Sequence, residues 1–182
     1  MMLWIGILGC VESPPTTAEV TADTATVESE EDDLSWVDPT SLPAGENPCR
    51  EPVRVRVNYV ADGDTIFVSD GAEKVRIIGV DTPELGDDEC FASEAKEFLS
   101  DLIQDRWIWL TFDRDCSDVY DRTLAYVHLG PSEMDFVERR LLRGGYAQDF
   151  PFDNTDTFAE LFAADEATAR EENAGGWDTC GW

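Results

Sequence analysis

Three acidic side chains and one arginine lie within residues 60–84, whose sequence is VADGDTIFVSDGAEKVRIIGVDTPE. The acids are Asp64, Asp81 and Glu84, and the arginine is Arg76. Carboxylates that are brought together repel one another unless a cation or a proton lies between them. Carboxylate oxygens are also the ligands that hard divalent cations prefer. These residue types therefore predict a hard-cation site with an arginine beside it.

Two strand-like runs, residues 66–68 and residues 74–80, must position these side chains. Each run follows an Asp-Gly pair, which is typical of a hairpin turn because glycine accepts the positive φ that such turns require. If the two runs pair antiparallel, Asp64 begins one strand and Asp81 ends the next. The two acids are then neighbours at the open end of the hairpin.

The spacing of apolar residues predicts three more strands and three helices. Strands show apolar and polar alternation, whereas helices show apolar residues three or four positions apart. The chain is therefore predicted to be α+β, with a five-stranded OB-fold β-barrel, a helix between its third and fourth strands, and three helices in all. This fold alone indicates only oligonucleotide or oligosaccharide binding. The further strands are expected at residues 53–60, 107–112 and 122–129, and the helices at residues 91–103, 134–142 and 158–171.

The chain of 182 residues is strongly acidic, with a formal net charge of −27. From residue 47 onward it has 30 acidic and 13 basic residues, a net charge of −17. An acidic balance argues against tight non-specific binding of polyanions. Two interpretations remain open. One is a solvated acidic surface suited to high salt, and the other is a surface that attracts cations or speeds product release.

The first ten residues, MMLWIGILGC, are apolar and end at Cys10. Residues 7–10 resemble the lipobox of bacterial lipoproteins, in which the cysteine is lipidated and the preceding peptide is removed. The run contains no Lys or Arg and is short for an export signal. It is also too short to span a bilayer as a helix. We expect an exported protein that is anchored to the membrane by a lipid at Cys10, at the cell surface or in the periplasm. An ordinary export signal that gives a secreted protein, or a cytosolic chain with an apolar start, is the alternative.

Residues 11–46 are rich in Thr, Ser, Glu, Asp and Pro and contain no basic residue. Such a composition cannot bury enough apolar surface to offset the entropy lost on ordering. The sequence therefore predicts a signal segment at residues 1–10, a disordered acidic linker at residues 11–46 and one domain at residues 47–182. We expect this domain to be a monomer.

Four cysteines follow Cys10, an even number that predicts two disulfides behind an export signal. Three connectivities are possible. The favoured pairs are Cys90–Cys116 and Cys49–Cys180, because the second bond would join the two ends of the domain and close a long loop. The sequence has no Cys-x-x-Cys motif or Cys/His cluster that would indicate zinc.

Four pieces of the sequence, in this order, resemble the staphylococcal nuclease (thermonuclease) family. They are Asp-Gly-Asp-Thr at 62–65, Arg76, Val-Asp-Thr-Pro-Glu at 80–84 and Tyr-Asp-Arg-Thr-Leu-Ala-Tyr at 120–126. The similarity extends over roughly residues 50–177. That family hydrolyses DNA and RNA with calcium, so the resemblance implies a calcium-dependent nuclease that cleaves both substrates by metal-assisted attack of water.

The resemblance also implies a metal site and a base. Asp64 and Asp81 match the family's metal-binding carboxylates, and the main-chain carbonyl of Thr82 matches its carbonyl ligand. Glu84 matches the acid that positions or deprotonates the attacking water. Calcium is a hard ion that takes carboxylate and carbonyl oxygens, so these residue types suit it.

Arg76 and Arg122 match the family's two phosphate-binding arginines. A guanidinium presents planar, paired donors that a lysine cannot supply. Tyr120 lies near the place where the family stacks a base or sugar, as do Phe150 and Phe152, whose family counterparts are often tyrosines.

Two features leave other functions open. The glycine that the family usually has before its second arginine is Asp121 here, an acid that could pair with Arg122 and weaken phosphate binding. The fold also occurs as a non-catalytic module that binds nucleic acid or protein. A calcium-binding surface protein without a substrate is a third hypothesis, which only the acidity favours.

Overall fold

A computed structural model describes residues 33–182, in which five strands close into a barrel. The order around the barrel is β1-β2-β3-β6-β5. Only β3 and β6 pair in parallel, and the other pairs are antiparallel. The seven strands are β1 (Val53–Val60), β2 (Thr65–Val68), β3 (Glu73–Ile77), β4 (Gly79–Asp81), β5 (Trp107–Thr111), β6 (Thr123–His128) and β7 (Gln148–Phe150). The four α-helices are α1 (Ala92–Ile103), α2 (Val137–Arg143), α3 (Ala159–Glu172) and α4 (Gly176–Thr179).

The predicted α+β class and five-stranded OB-fold barrel are confirmed. Helix α1 lies in the chain between β3 and β5, as the apolar spacing predicts, and buries Ala95, Leu99 and Ile103 on its inner face. Full burial of one such leucine or isoleucine side chain contributes about 1.5–3 kcal/mol. Three predicted helices are present, and α4 is a fourth that the sequence did not predict. Its four residues are too few to show helical periodicity.

The strand predicted at residues 74–80 is divided in two. It ends at Ile77, and β4 then leaves the barrel to pair antiparallel with β7. Gly79, between the two parts, has a φ of +80°, and a Cβ there would lie 2.4 Å from a ring carbon of Phe162. Only glycine fits this turn, which redirects the chain so that Asp81 returns towards Arg76. Strand β7 was not predicted, because three residues carry no alternation.

Residues 33–46 do not form the disordered linker that the composition predicts. Leu34, Val37 and Leu42 are buried and pack against Trp109, whose ring N–H donates to the Leu34 carbonyl at 3.1 Å. These three apolar side chains are spaced too irregularly for the sequence pattern to reveal them. Residues 11–32, and Cys10 with its predicted lipidation, lie outside the described residues. No helix in the described part of the chain is long and apolar enough to cross a membrane.

All four domain cysteines form disulfides, but the favoured connectivity is wrong. The bonds are Cys49–Cys116 and Cys90–Cys180, with Cα atoms 5.7 and 5.9 Å apart. The Cys49 N–H donates to the Asp113 carbonyl at 2.8 Å, which holds Cys49 beside the loop that follows β5. Loop-closure entropy alone favours the longest loop, whereas the barrel topology decides which cysteines meet.

Candidate active site

Asp64 lies immediately before β2 and is almost fully buried, with 4% of its surface exposed. Its Oδ2 accepts hydrogen bonds from the main-chain N–H of Thr82 at 3.1 Å and from the Thr82 hydroxyl at 3.0 Å. Gly63 permits this approach, because a Cβ there would lie 2.6 Å from Thr82 Oγ1. Gly63 is therefore required for close packing, whereas the hairpin pattern predicted a positive φ, which the structure does not show.

Arg76 bridges the two predicted metal-binding carboxylates. Its Nη1 lies 3.1 Å from Asp64 Oδ2, and its Nη2 lies 3.0 Å from Asp81 Oδ1. Nη1 also donates to the carbonyls of Ile77 and Val80, at 2.6 and 2.9 Å. The chain from β3 to β4 therefore wraps around the guanidinium. The predicted hairpin pairing is confirmed, since Thr65 of β2 faces Arg76 of β3.

The electrostatics of Asp64 favour a cation beside it. Burial raises the pKa of the Asp64 carboxyl to about 6, and the charge of Arg76 opposes that rise. The side chain of Arg76 is itself largely buried, at 14% exposure. A carboxylate desolvated in this way is stabilised by positive charge at hydrogen-bonding distance.

The donor set at this site fits a hard cation. Asp64, Asp81 and the Thr82 carbonyl supply only oxygen ligands, and calcium accepts such ligands at a flexible coordination number. The described residues include no group of three or more His, Cys, Asp or Glu side chains placed to hold a metal. The predicted set has only two carboxylates, so water and substrate oxygens would have to complete the coordination.

Arg122 comes directly before β6 and is paired with Asp118. Its Nε lies 2.6 Å from Asp118 Oδ2, and its main-chain N–H donates to Asp118 Oδ1 at 3.0 Å. Burial tends to raise the pKa of Asp118, but these hydrogen bonds from Arg122 and the N–H of Tyr120 keep it below its usual value. The sequence suggested Asp121 as the ion-pair partner of Arg122, but the structure gives Asp118. Asp121 has a φ of +61°, a conformation that favours glycine.

Arg76 and Arg122 line the same cavity, which has a volume of about 510 Å³. The exposed rings of Tyr120, Phe150 and Phe152 lie on its wall, and the last two are stacked with centroids 6.4 Å apart. The Arg122 guanidinium also lies over the Tyr120 ring, 5.5 Å from its centroid. The cavity thus combines two guanidinium groups with aromatic faces.

Glu84 lies beyond Pro83, at the start of the exposed loop that leads to α1. Its side chain is exposed and makes no hydrogen bond or ion pair with residues 33–182. The structure therefore brings Asp64, Arg76, Asp81 and Thr82 together, and the Glu84 side chain, two residues beyond Thr82, makes no hydrogen bond or ion pair with them.

Comparison with known proteins identifies the family of the chain. The family model described as "Staphylococcal nuclease homologue" matches residues 74–179, more than half of the chain. The chain belongs to the staphylococcal nuclease family. The matched segment includes Arg76, Asp81, Glu84 and Arg122, whereas Asp64 precedes it.

Named relatives match half of the chain or more. Thermonuclease of Staphylococcus intermedius is 34% identical over 128 residues, which cover 67% of this chain and 74% of the relative. Thermonuclease of Staphylococcus hyicus is 36% identical over 99 residues, covering 51% of this chain and 57% of the relative. Micrococcal nuclease of Shigella flexneri is 28% identical over 138 residues, covering 71% and 76%.

The sequence patterns did not indicate two residues at or near the site of this staphylococcal nuclease family member, Asp118 and Glu89. Asp118 escaped notice because its link to Arg122 depends on the turn at residues 118–121, although its four-residue spacing was a usable signal. Glu89 lies in the loop after Glu84, and an acid in an acidic loop gives no signal of its own. The roles that the resemblance implies for individual residues remain predictions.

Proposed function

We propose that the protein is a calcium-dependent nuclease that hydrolyses phosphodiester bonds of DNA and RNA. Membership of the staphylococcal nuclease family supports nuclease chemistry. The observation that carries the proposal is the cluster of Asp64, Arg76, Asp81 and Thr82, in which only Asp81 is exposed, with Arg122 on the wall of the adjoining cavity. Oxygen atoms suited to a cation lie beside Arg76, and Arg122 lines the same cavity as Arg76, which supports binding of a phosphate next to a cation.

Calcium would be held by Asp64, Asp81 and the Thr82 carbonyl, where it supplies positive charge to the phosphate and lowers the pKa of a bound water. Arg76 and Arg122 bind the non-bridging phosphate oxygens, on which negative charge accumulates as water attacks. Arg76 has acceptors at Nη1 and Nη2 but none at Nε among the described residues, so donors remain for substrate. Removal of one such preorganised donor typically costs about 2.7–4 kcal/mol of transition-state stabilisation.

Glu84 takes the proton from the attacking water. Hydrolysis forms one P–O bond to this water and breaks one ester P–O bond, so the water loses a proton and the leaving oxygen gains one. Pro83 fixes φ between Thr82 and Glu84 and directs Glu84 away from the strand. An exposed glutamate is a weak base, so it contributes only if it is held within hydrogen-bonding distance of that water.

The aromatic wall of the cavity binds a base or sugar of the substrate. Tyr120, Phe150 and Phe152 present exposed rings, and stacking of one base on such a ring contributes about 1–3 kcal/mol. Stacking does not distinguish among bases, and it makes no use of the 2′-hydroxyl that separates RNA from DNA. The proposal therefore includes both nucleic acids as substrates.

A cleavage assay with oxidised protein tests this function. Single-stranded DNA and RNA are incubated with calcium, and then with a chelator in excess. We expect cleavage only with calcium, and we expect Glu84→Gln to lower kcat by at least about 10²-fold, the low end for a general base. Glu94→Gln, an exposed glutamate on α1, is the matched control and should cleave like the unmodified protein.

Three results would count against the proposal. Cleavage that continues with the chelator would exclude the metal requirement, and unchanged cleavage by Glu84→Gln would exclude the proposed base. Binding of nucleic acid without any cleavage would instead favour the non-catalytic module.

We also propose that the chain is exported, anchored by a lipid at Cys10, and monomeric. The motif at residues 7–10 and the two disulfides support export, because disulfides persist in oxidising compartments. Fractionation of bacterial cells that express the full chain should find it with the membrane, and Cys10→Ala should release it. Equal distribution of both forms would contradict the anchor. Sedimentation of the soluble domain should give the mass of one chain.

A further inference from the structure

Glu89 contacts both main-chain polar groups of Glu84. The Glu84 N–H donates to Glu89 Oε2 at 2.8 Å, and the Glu84 carbonyl accepts from the Glu89 N–H at 3.3 Å. One residue thus closes the loop from residue 84 to residue 89 on itself. The main chain that carries the proposed base is fixed at both ends by Glu89.

Few other contacts hold this loop. Residues 86–90 are all exposed, so the hydrophobic core contributes little to their position. Asp88 and Phe91 have φ angles of +53° and +75°. A non-glycine residue costs about 1–2 kcal/mol in that left-handed region. The loop therefore needs local constraints to keep its shape.

The Cys90–Cys180 disulfide supplies a second constraint. It joins the end of the loop to Cys180, which directly follows α4. Within α4, Trp177 is buried and the Gly176 N–H donates to the Gly145 carbonyl at 2.9 Å. Trp182 lies edge-on to Phe91, with ring centroids 6.1 Å apart. The loop is thus attached to a well-packed part of the protein.

The disulfide and Glu89 also face the proposed metal ligands. A cleft of about 340 Å³ has Asp81, Thr82 and Pro83 among its lining residues, together with Glu89 and the Cys90–Cys180 bond. A displacement of the loop would therefore change the cleft that Asp81 and Thr82 line.

We propose that Glu89 is a positioning residue for Glu84, and that the Cys90–Cys180 disulfide holds the loop on which both lie; this inference rests on the proposed nuclease function. The Glu89 carboxylate fixes the Glu84 main chain, and the disulfide limits movement of the loop relative to Asp81 and Thr82. A reacting group displaced by about 1 Å can lose about 10²-fold in rate.

Three loop variants test the role of Glu89. Glu89→Ala removes the acceptor, Glu89→Gln keeps an acceptor oxygen, and Asp87→Ala removes a carboxylate from the same loop as the matched control. We expect Glu89→Ala to lower kcat by about 10- to 100-fold, with KM and calcium affinity unchanged. Glu89→Gln should restore most of the activity, and Asp87→Ala should retain all of it.

Amide hydrogen exchange, followed by NMR, supplies a readout that does not depend on catalysis. The Glu84 amide should lose protection in Glu89→Ala and keep it in Glu89→Gln. The double variant Cys90→Ala/Cys180→Ala should also lose kcat and not KM, at a temperature where circular dichroism shows it folded. If that variant does not fold, the Glu89 series alone decides.

Different failures have different meanings. If the unmodified protein shows no calcium-dependent cleavage, the proposed function and this inference both fall. If it cleaves and Glu89→Ala has the same kcat, or changes only KM, the inference falls while the nuclease function stands. Equal exchange of the Glu84 amide in Glu89→Ala and Glu89→Gln would also overturn it.

Discussion

The two arginines of the site are held to different degrees. Arg76 has two carboxylates and two carbonyls around it, and only 14% of its side chain is exposed. Arg122 is held mainly by Asp118, and 26% of its side chain is exposed. Arg76 is thus part of the folded core as well as of the site, whereas Arg122 can turn towards a ligand at a smaller cost in stability. Loss of Arg76 would leave Asp64 buried without its counter-charge.

His128 predicts a pH dependence of stability at a single residue. Its Nε2 lies 2.9 Å from Thr111 Oγ1, and burial lowers its pKa to about 3. An unfolded histidine has a pKa of about 6.5. Between these values the unfolded chain binds a proton that the folded protein excludes. The contribution of His128 to the free energy of unfolding therefore decreases by about 1.4 kcal/mol for each unit that the pH falls below 6.5.

Urea unfolding of the unmodified protein and of His128→Gln, at several pH values, measures this effect. Other buried acids act in the opposite direction, because burial raises the pKa of Asp149 to about 6 and that of Glu138 well above its usual value. These contributions cancel when the free energy of unfolding of one protein is subtracted from that of the other. From pH 6.5 to pH 4.5 the difference in free energy of unfolding between the two proteins should shift by about 2.3 kcal/mol in favour of the variant. A difference that is constant with pH would show that His128 is protonated within the fold.

At the scale of elements, alternation and helical spacing predicted the barrel well. Strand β1 has the predicted bounds, and β2, β5, β6, α1 and α3 are each within about two residues of prediction, the accuracy expected at element ends. The pairing of β4 with β7 was not predictable. Three-residue strands have no period, and their pairing depends on the turn at Gly79, which only tertiary packing explains.

The proximity of Asp64 and Arg76 in the candidate site was predictable because the two residues are close in the sequence. Asp64 directly precedes β2 and Arg76 lies on β3, the neighbouring strand of the same hairpin, so sequence order places them together. The pairing of Arg122 with Asp118 depends on the local turn at residues 118–121, whereas the pairing of Cys90 with Cys180 depends on loops whose paths are set by long-range contacts. Sequence patterns record neither loop paths nor the contacts that choose among three disulfide connectivities.

Gly79→Ala tests whether the turn between β3 and β4 builds the site. A Cβ would meet the Phe162 ring, which adds about 1–3 kcal/mol of overpacking to about 1–2 kcal/mol of left-handed strain. Gly71→Ala is the matched control, because Gly71 also has a φ of +80° but nothing lies within 4 Å of its Cβ position. We expect Gly79→Ala to lose more stability in urea unfolding. We also expect weaker calcium binding by calorimetry, since β4 carries Asp81. Equal losses in the two variants would show that the Phe162 contact is unimportant.

At the scale of the whole molecule, the net negative charge opposes the proposed binding of nucleic acid. Residues 33–182 contain 33 acidic and 13 basic residues, a net charge of −20. The proposed substrates are polyanions, so the field of the whole protein repels the ligand that Arg76 and Arg122 must attract. The local cluster therefore has to overcome a long-range repulsion that added salt reduces.

Adding salt to a solution of low ionic strength should therefore raise kcat/KM for nucleic acid. A basic protein that binds nucleic acid loses affinity steadily as salt rises, because fewer counterions are released on binding. Here, an increase from about 0.01 M to about 0.15 M salt shortens the Debye length from about 30 Å to about 8 Å. That change screens repulsion across the domain more than it weakens contacts at close range.

We expect kcat/KM on long single-stranded DNA to rise over this interval at saturating calcium. A substrate with a single phosphodiester should respond much less, because it carries little charge to repel. If kcat/KM on the long substrate instead falls throughout, the local arginines dominate encounter and the acidic surface has no influence on substrate binding.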